Sequence, residues 1–268
     1  VTKVALAALG LIAGLYLVVL VALAVAQRSL IYPAPPAPGA GASAVPPGFT
    51  SIALETADGL SLHAAYRAAV LGRQTLVFFH GNGSSIDESA VATDQLGARG
   101  YGLLLVEYRG YRGNPGKPSE AGLYADGRAA LAWLGMHGVA TQRTVLIGNS
   151  LGSGVATELA ARMPVAGLVL ISGFTSLPDV AAGHYPWLPV RLMLRDRFDN
   201  RAKLAKVAAP VLVLHGTADT LIPADQGRAL AAAAPHATLE LVSGYGHELA
   251  FEPEAQTRTL AWLQRLQP

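Results

Sequence analysis

The chain contains no cysteine. That absence removes disulfides, thiolate nucleophiles and cysteine zinc sites together. It does not locate the protein, because a chain without thiols suits an oxidising or a reducing compartment alike. Charge is scarce as well: only 14% of the 268 residues are Asp, Glu, Lys or Arg, and the formal net charge is +2. The basic residues are scattered and form no stripe that could track a phosphate backbone, so nucleic acid is not an expected partner. No metal-binding motif is present, and "YRGNPGKPS" is no phosphate-binding loop, because proline follows its Gly-Lys. Neither a metal nor a cofactor is expected. With 51% apolar residues, the chain has ample material for a core and disorder is not its default.

One long stretch lacks charge altogether. "VALAALGLIAGLYLVVLVALAVA" runs for 23 residues from Val4 to Ala26, with Lys3 before it and Arg28 after it. About 20 helical residues span a bilayer core of roughly 30 Å. A cleavable signal peptide has a shorter apolar core of about 7–15 residues, although "AVA" at Ala24–Ala26 matches a cleavage site and would give a secreted protein. A buried soluble helix is rarely apolar on every face. Residues 1–28 are therefore read as a single-pass membrane anchor. One basic residue on each flank leaves the side of the following domain open. Residues 29–48 form a Pro/Ala/Gly-rich linker: the stretch from Gln27 to Gly48 holds six prolines, which favour an extended connector.

From Phe49 the texture changes. "FTSIALETA" and "LSLHAAYRA" flank Asp58-Gly59 and predict a β-hairpin. "TLVFF", "YGLLLVEY", "TVLIG", "AGLVLIS", "PVLVLHG" and "ATLELVSG" predict strands, separated by helical segments at about Ser84–Arg99, Ser119–His137 and Leu151–Met163 among others. Apolar strands alternating with helices imply an α/β domain, residues 49–268, with a mostly parallel central sheet covered by helices on both faces. In such sheets the loops beyond the carboxyl ends of the strands build the site.

Gly148-Asn149-Ser150-Leu151-Gly152 is a G-x-S-x-G between a strand and a helix former. The pattern alone is common, and a plain glycine-rich turn would also satisfy it. The strand–turn–helix setting is what a nucleophile elbow requires, with Gly148, Gly152 and Gly154 keeping the neighbourhood small. A serine nucleophile needs a base. Of seven histidines, His63, His137, His184 and His236 read as surface or packing residues, and His80 and His215 as structural groups at strand ends. His247 follows the last strand in the loop "SGYGHE", from which an imidazole can reach over the sheet. The base needs an orienting carboxylate. Asp219 follows "PVLVLHG", whereas Asp126 and Glu158 lie inside helices, Asp225 starts one, and Asp196 and Asp199 read as surface ion pairs. The order Ser150, Asp219, His247 is the one expected with this elbow. In "FFHGNGSS" the backbone N–H of Asn82, or that of Gly83, can join the N–H of Leu151 as an oxyanion hole.

The pieces "QRSLIYPAP", "FFHGNGSS", "EYRGYRGNPGKPSE", "GNSLGSG", "HGTADTLIP" and "GYGHE" together resemble the α/β-hydrolase superfamily. More narrowly they are similar to its membrane-anchored branch, which includes eukaryotic protein depalmitoylases and many bacterial hydrolases. The resemblance implies a serine hydrolase acting on esters or thioesters, with Ser150 as nucleophile, Asp219 as acid and His247 as base. Glu107 is a departure, since aspartate often precedes "YRG" in related sequences; a loop-anchoring role is expected for it. The implied partners are a membrane and a small-molecule or lipid-like acyl ester, or an acylated protein. A peptidase or amidase on the same residues is the alternative chemistry, and a non-catalytic binding protein on the same fold is the alternative class.

The segment "GFTSLPDVAAGHYPWLPVRLMLRDRFDN" and its flank, about residues 173–205, is the expected cap. Trp187, Leu188, Leu192 and Met193, with Val190 and Phe198, are candidates to line an acyl pocket or face the membrane. Ordinary packing of a cap helix accounts for the same apolar spacing. Arg191, Arg195 and Arg197 could hold an anionic head group or simply face solvent.

Overall fold

The computed structural model describes residues 2–37, 39 and 45–266. Along the chain the elements are α1 (Thr2–Ile31), β1 (Thr50–Glu55), β2 (Ser61–Arg67), β3 (Thr75–Phe79), α2 (Ile86–Val91), α3 (Asp94–Ala98), β4 (Gly102–Val106), α4 (Glu120–Met136), β5 (Thr144–Asn149), α5 (Gly152–Ala160), β6 (Gly167–Ile171), α6 (Leu177–His184), α7 (Val190–Met193), α8 (Asn200–Leu204), β7 (Val211–Gly216), α9 (Ala224–Ala233), β8 (Ala237–Val242) and α10 (Pro253–Arg265). The strands form one eight-stranded sheet in the order β1-β2-β4-β3-β5-β6-β7-β8. The hairpin β1–β2 joins β4 antiparallel at one edge, and every other pairing is parallel.

Strand alternation sorts the core into two layers. Val77, Phe79, Leu146, Leu168 and Val213 point to the face covered by α4, α5, α8 and α9. Leu76, Phe78, Ile147, Val169 and Leu212 point to the opposite face, where they meet Ile86, Leu96, Leu260 and Trp262 from α2, α3 and α10. This is the α/β-hydrolase arrangement, and the expected coverage of both faces holds. The segment expected as one helix over Ser84–Arg99 is two: Thr93 returns its hydroxyl to the Ser89 carbonyl (2.8 Å) and the chain restarts there as α3. Arg109 ties the hairpin to the sheet through Asp126 on α4 (2.8 Å) and Asp58 in the hairpin turn (2.6 Å).

The N-terminal helix departs from a simple anchor and linker. It runs unbroken for 30 residues to Ile31, roughly 45 Å at 1.5 Å per residue. From Val4 to Val18 its large apolar side chains are exposed. Its last turns dock on the segment expected as the cap. Gln27 is buried, donating to the Met193 carbonyl (3.3 Å) and accepting from the Arg195 N–H (2.9 Å). Arg28 meets Asp196 through two bonds of 3.0 and 3.2 Å, and the Tyr32 hydroxyl donates to the same carboxylate (3.0 Å). Asp196 is thus a buried partner of the helix, not a surface ion pair. Asp199 caps α8 by accepting from the Ala202 N–H (3.1 Å). Within the expected linker Ile31 and Tyr32 pack on the core, while Ser29 and Leu30 stay exposed; its positions 38 and 40–44 lie outside the described residues.

Candidate active site

Ser150 stands between β5 and α5 with φ at +49°, a left-handed backbone that a non-glycine residue adopts only under constraint. Glycine makes the turn possible. A Cβ on Gly148 would lie 2.5 Å from the Gly152 carbonyl oxygen, and one on Gly152 would lie 2.0 Å from that of Phe79. Gly154 has another purpose: its missing Cβ makes room for the ring of Phe198. The Ser150 N–H is held by the Ile171 carbonyl (2.9 Å), which fixes the turn to the end of β6.

The structure brings Ser150, His247 and Asp219 into one hydrogen-bonded chain. His247 Nε2 lies 3.0 Å from Ser150 Oγ, and its Nδ1 lies 2.8 Å from Asp219 Oδ2. The other Asp219 oxygen accepts the N–H groups of Leu221 (2.9 Å) and Ile222 (2.8 Å). Burial alone would raise the Asp219 carboxyl. Hydrogen bonds from His215, His247 and the Ile222 amide outweigh it and hold the group well below the ordinary carboxylate range. His215 is buried, donates Nε2 to the Ile222 carbonyl (2.8 Å) and stands 3.5 Å from Asp219, so its structural role is to brace that loop. With Nδ1 facing a carboxylate, the imidazole of His247 presents Nε2 as the acceptor for the serine proton.

His247 does not ride on an open loop. It opens a 3₁₀ turn, His247–Phe251, whose Leu249 and Ala250 are buried. Ser172 donates to the His247 carbonyl (3.1 Å) and itself has φ at +49°. Sequence reasoning missed Ser172; no motif marks it, and only its position at the end of β6 could have drawn attention.

A pocket of about 230 Å³ opens beside Ser150, lined by Asn82, Ser84, Glu88, His247, Glu248 and Phe251 among others. Among the described residues, the N–H groups of Asn82 and Leu151 donate to no protein acceptor. The Gly83 N–H lies near the Tyr111 hydroxyl. The same hydroxyl donates to Asn82 Oδ1 (2.9 Å). Glu107 anchors this loop as expected, with His80 Nε2 at 3.1 Å and the Ile86 N–H at 3.0 Å. Tyr111 was not foreseen, although its place in "YRGYRG" offered a signal.

The cap residues separate. Trp187, Leu188 and Met193 line a second, apolar cleft against α1, away from the Ser150 pocket. Leu192 lines neither and is 89% exposed. Phe198 is wholly buried against Gly154 and Tyr124, so it is core and lines no pocket. Val190 is buried yet borders the cleft. Arg191 pairs with Asp179, and Arg197 donates to the Arg191 carbonyl (2.9 Å). Among the described residues no cluster of His, Asp and Glu could hold a metal.

Comparison with known proteins agrees with this architecture. Residues 76–202 match the Alpha/beta hydrolase family, and residues 190–254 match the family described as Serine aminopeptidase, S33. An uncharacterized protein of Mycobacterium tuberculosis is 44% identical over 225 residues, covering 82% of this chain and 80% of that one. Alpha/beta hydrolase domain-containing protein 17B of Homo sapiens is 34% identical over 168 residues, 61% of this chain and 56% of that protein. Among solved structures, an esterase of Pyrococcus furiosus superimposes with a TM-score of 0.68 at 16% identity, covering 88% of this chain and 98% of that one.

Proposed function

The chain belongs to the alpha/beta hydrolase family, and from that premise we propose that it is a serine hydrolase of carboxylic esters or thioesters. The observation that carries the proposal is the unbroken hydrogen-bond chain from Asp219 through His247 to Ser150. His247 Nε2 takes the Ser150 proton as Oγ attacks the acyl carbon. The carbonyl oxygen, now anionic, is received by the N–H groups of Asn82 and Leu151; losing one such donor typically costs about 10²–10³ in kcat. The tetrahedral species collapses, and the alcohol or thiol leaves with the proton returned from His247. A water molecule then gives its proton to His247 and attacks the acyl-enzyme. The acid departs and Ser150 regains its hydrogen. Asp219 stays ionised throughout and holds the Nδ1–H tautomer.

The exposed apolar length of α1 supports placing the enzyme at a membrane, where that helix spans or anchors. Retention of the full chain in the membrane fraction after a high-salt wash tests this placement, and release into the soluble fraction overturns it.

The match of residues 190–254 to a serine aminopeptidase family favours amide hydrolysis as a second reading. A matched acyl pair, p-nitrophenyl ester against p-nitroanilide, separates the two. Turnover of the ester, lost in Ser150→Ala with an unchanged circular dichroism spectrum, is the expected result. Full ester turnover in that variant rejects the assignment, and preference for the anilide moves it to the peptidase class.

A further inference from the structure

The Ser150 pocket is small and polar-rimmed, about 230 Å³ with Asn82, Ser84, Glu88 and Glu248 at its edge. A larger space, about 580 Å³, lies between the end of α1 and the cap. Its size is that of a small-molecule site, which generally falls within roughly 300–1,000 Å³. One wall is Leu23, Leu30 and Ile31 of α1; the other is built by Val180, Leu188 and Met193 of the cap.

Two of the polar side chains along this cleft, Gln27 and His184, are already committed, which leaves the tips of Tyr185 and Trp187 as its polar groups. Gln27 is tied to the Ala24 and Met193 carbonyls and the Arg195 N–H. His184 Nε2 meets the Leu221 carbonyl (2.7 Å), and the Tyr16 hydroxyl above it donates to the Trp187 carbonyl (2.7 Å). No charged side chain lines the cleft. An occupant therefore gains chiefly apolar burial, which favours a hydrocarbon chain over a polar ligand.

Backbone connects the cleft to the site, although the two share no lining residue. Leu221 lines it with its side chain while its N–H donates to Asp219 Oδ1 (2.9 Å). The end of α1 leads to Pro33, whose carbonyl would be 3.7 Å from a Cβ on Gly83, beside Asn82. Above the cleft, α1 is exposed and apolar from Val4 to Val18, so a hydrocarbon chain in a bilayer around that helix would reach the cleft without crossing water. The Gln27, Arg28 and Tyr32 bonds to the cap fix the helix as a wall of this space.

We propose that the cleft between α1 and the cap receives the hydrocarbon tail of a bilayer-resident acyl ester, so that the N-terminal helix forms part of the substrate site as well as a tether. The proposal rests on the serine hydrolase reading for the ester, but the cleft itself is tested without turnover. The full chain, carried as Ser150→Ala in nanodiscs, is photolysed with a palmitic acid analogue bearing a diazirine near its methyl end, and the adducts are mapped by peptide mass spectrometry. Adducts on residues 23–31 and 177–194, suppressed by excess palmitate and by Ala181→Trp on the cleft wall, are expected. Adducts confined to the lipid-facing Val4–Val18 stretch, or unaffected by Ala181→Trp, overturn the proposal. In the enzyme with Ser150 intact, Ala181→Trp should lower the ratio of palmitate to acetate ester turnover about tenfold or more. An unchanged ratio counts against the cleft. Absence of all ester turnover rejects the hydrolase reading and leaves the crosslinking result to decide the cleft.

Discussion

Gly152 is where sterics and helix propensity pull in opposite directions. Alanine at the first turn of α5 would favour the helix by up to about 1 kcal/mol over glycine. Yet the added Cβ would lie 2.0 Å from the Phe79 carbonyl oxygen, 2.5 Å from the Phe79 carbonyl carbon and 2.8 Å from the His80 carbonyl oxygen. These are backbone atoms, so no rotamer change relieves the clash. Carbon and carbonyl oxygen approach to about 3.3 Å at closest, so β3 and the elbow must part by roughly 1.3 Å. Overpacking of this kind costs about 1–3 kcal/mol, enough to cancel the gain in propensity. The displacement falls on the strand that leads into Gly81 and Asn82, the loop opposite Ser150. A misplacement of ~1 Å at reacting groups can cost about 10² in rate. Gly152→Ala should therefore lower kcat/KM for a p-nitrophenyl ester by about two orders of magnitude. It should also lower the melting temperature by a few degrees, about 2–4 °C per kcal/mol for a domain of this size. A variant as active and as stable as the parent would refute the steric reasoning.

Three further substitutions bear on the site and its frame. Gly154→Ala pushes on the Phe198 ring, at 2.3 Å from the added Cβ, rather than on backbone; it should cost about 1–3 kcal/mol of stability in thermal unfolding while kcat changes far less than in Gly152→Ala. Asp219→Asn should lower kcat by about 10⁴, because the amide no longer holds the imidazole tautomer. The Asp219 carboxyl titrates below its unfolded value, so its stabilising contribution is complete above about pH 4 and fades as pH falls through the lower native value. The gap in melting temperature between parent and Asp219→Asn should accordingly be widest at neutral pH and narrow in acid; a gap that widens in acid reverses the sign argued here. Ser172→Ala removes the donor to the His247 carbonyl (3.1 Å) and should cost about 0.5–1.5 kcal/mol in denaturant unfolding.

Much of the fold was legible because it is written in local pattern. The runs "TLVFF", "TVLIG" and "PVLVLHG" are short, apolar and bounded by turn residues, and each is a strand within a residue of its expected ends. The loops carrying Ser150 and Asp219 follow two of those strands and that of His247 follows β8, and a parallel sheet gathers such carboxyl ends at one edge. What local pattern could not show is pairing across long separations. Asp196 looks like one charge in "LRDRFDN", yet its partners are Arg28 and Tyr32, 168 and 164 residues away. Phe198 looks like a cap aromatic, yet φ at +43° turns it under Gly154 into the core. Ile31 and Tyr32, which seemed linker, are packed for the same reason. Gln27 and Arg28 read as the polar flank of an anchor until the cap is folded against them.

The central assignment is that Ser150 is the nucleophile. A fluorophosphonate probe followed by tryptic digestion and mass spectrometry tests it most directly. The probe should add to the peptide spanning residues 144–162, with fragment ions placing it on Ser150, and His247→Ala should suppress the adduct. Labelling of another residue, or labelling of the Ser150→Ala protein at the parent's rate, would contradict the assignment.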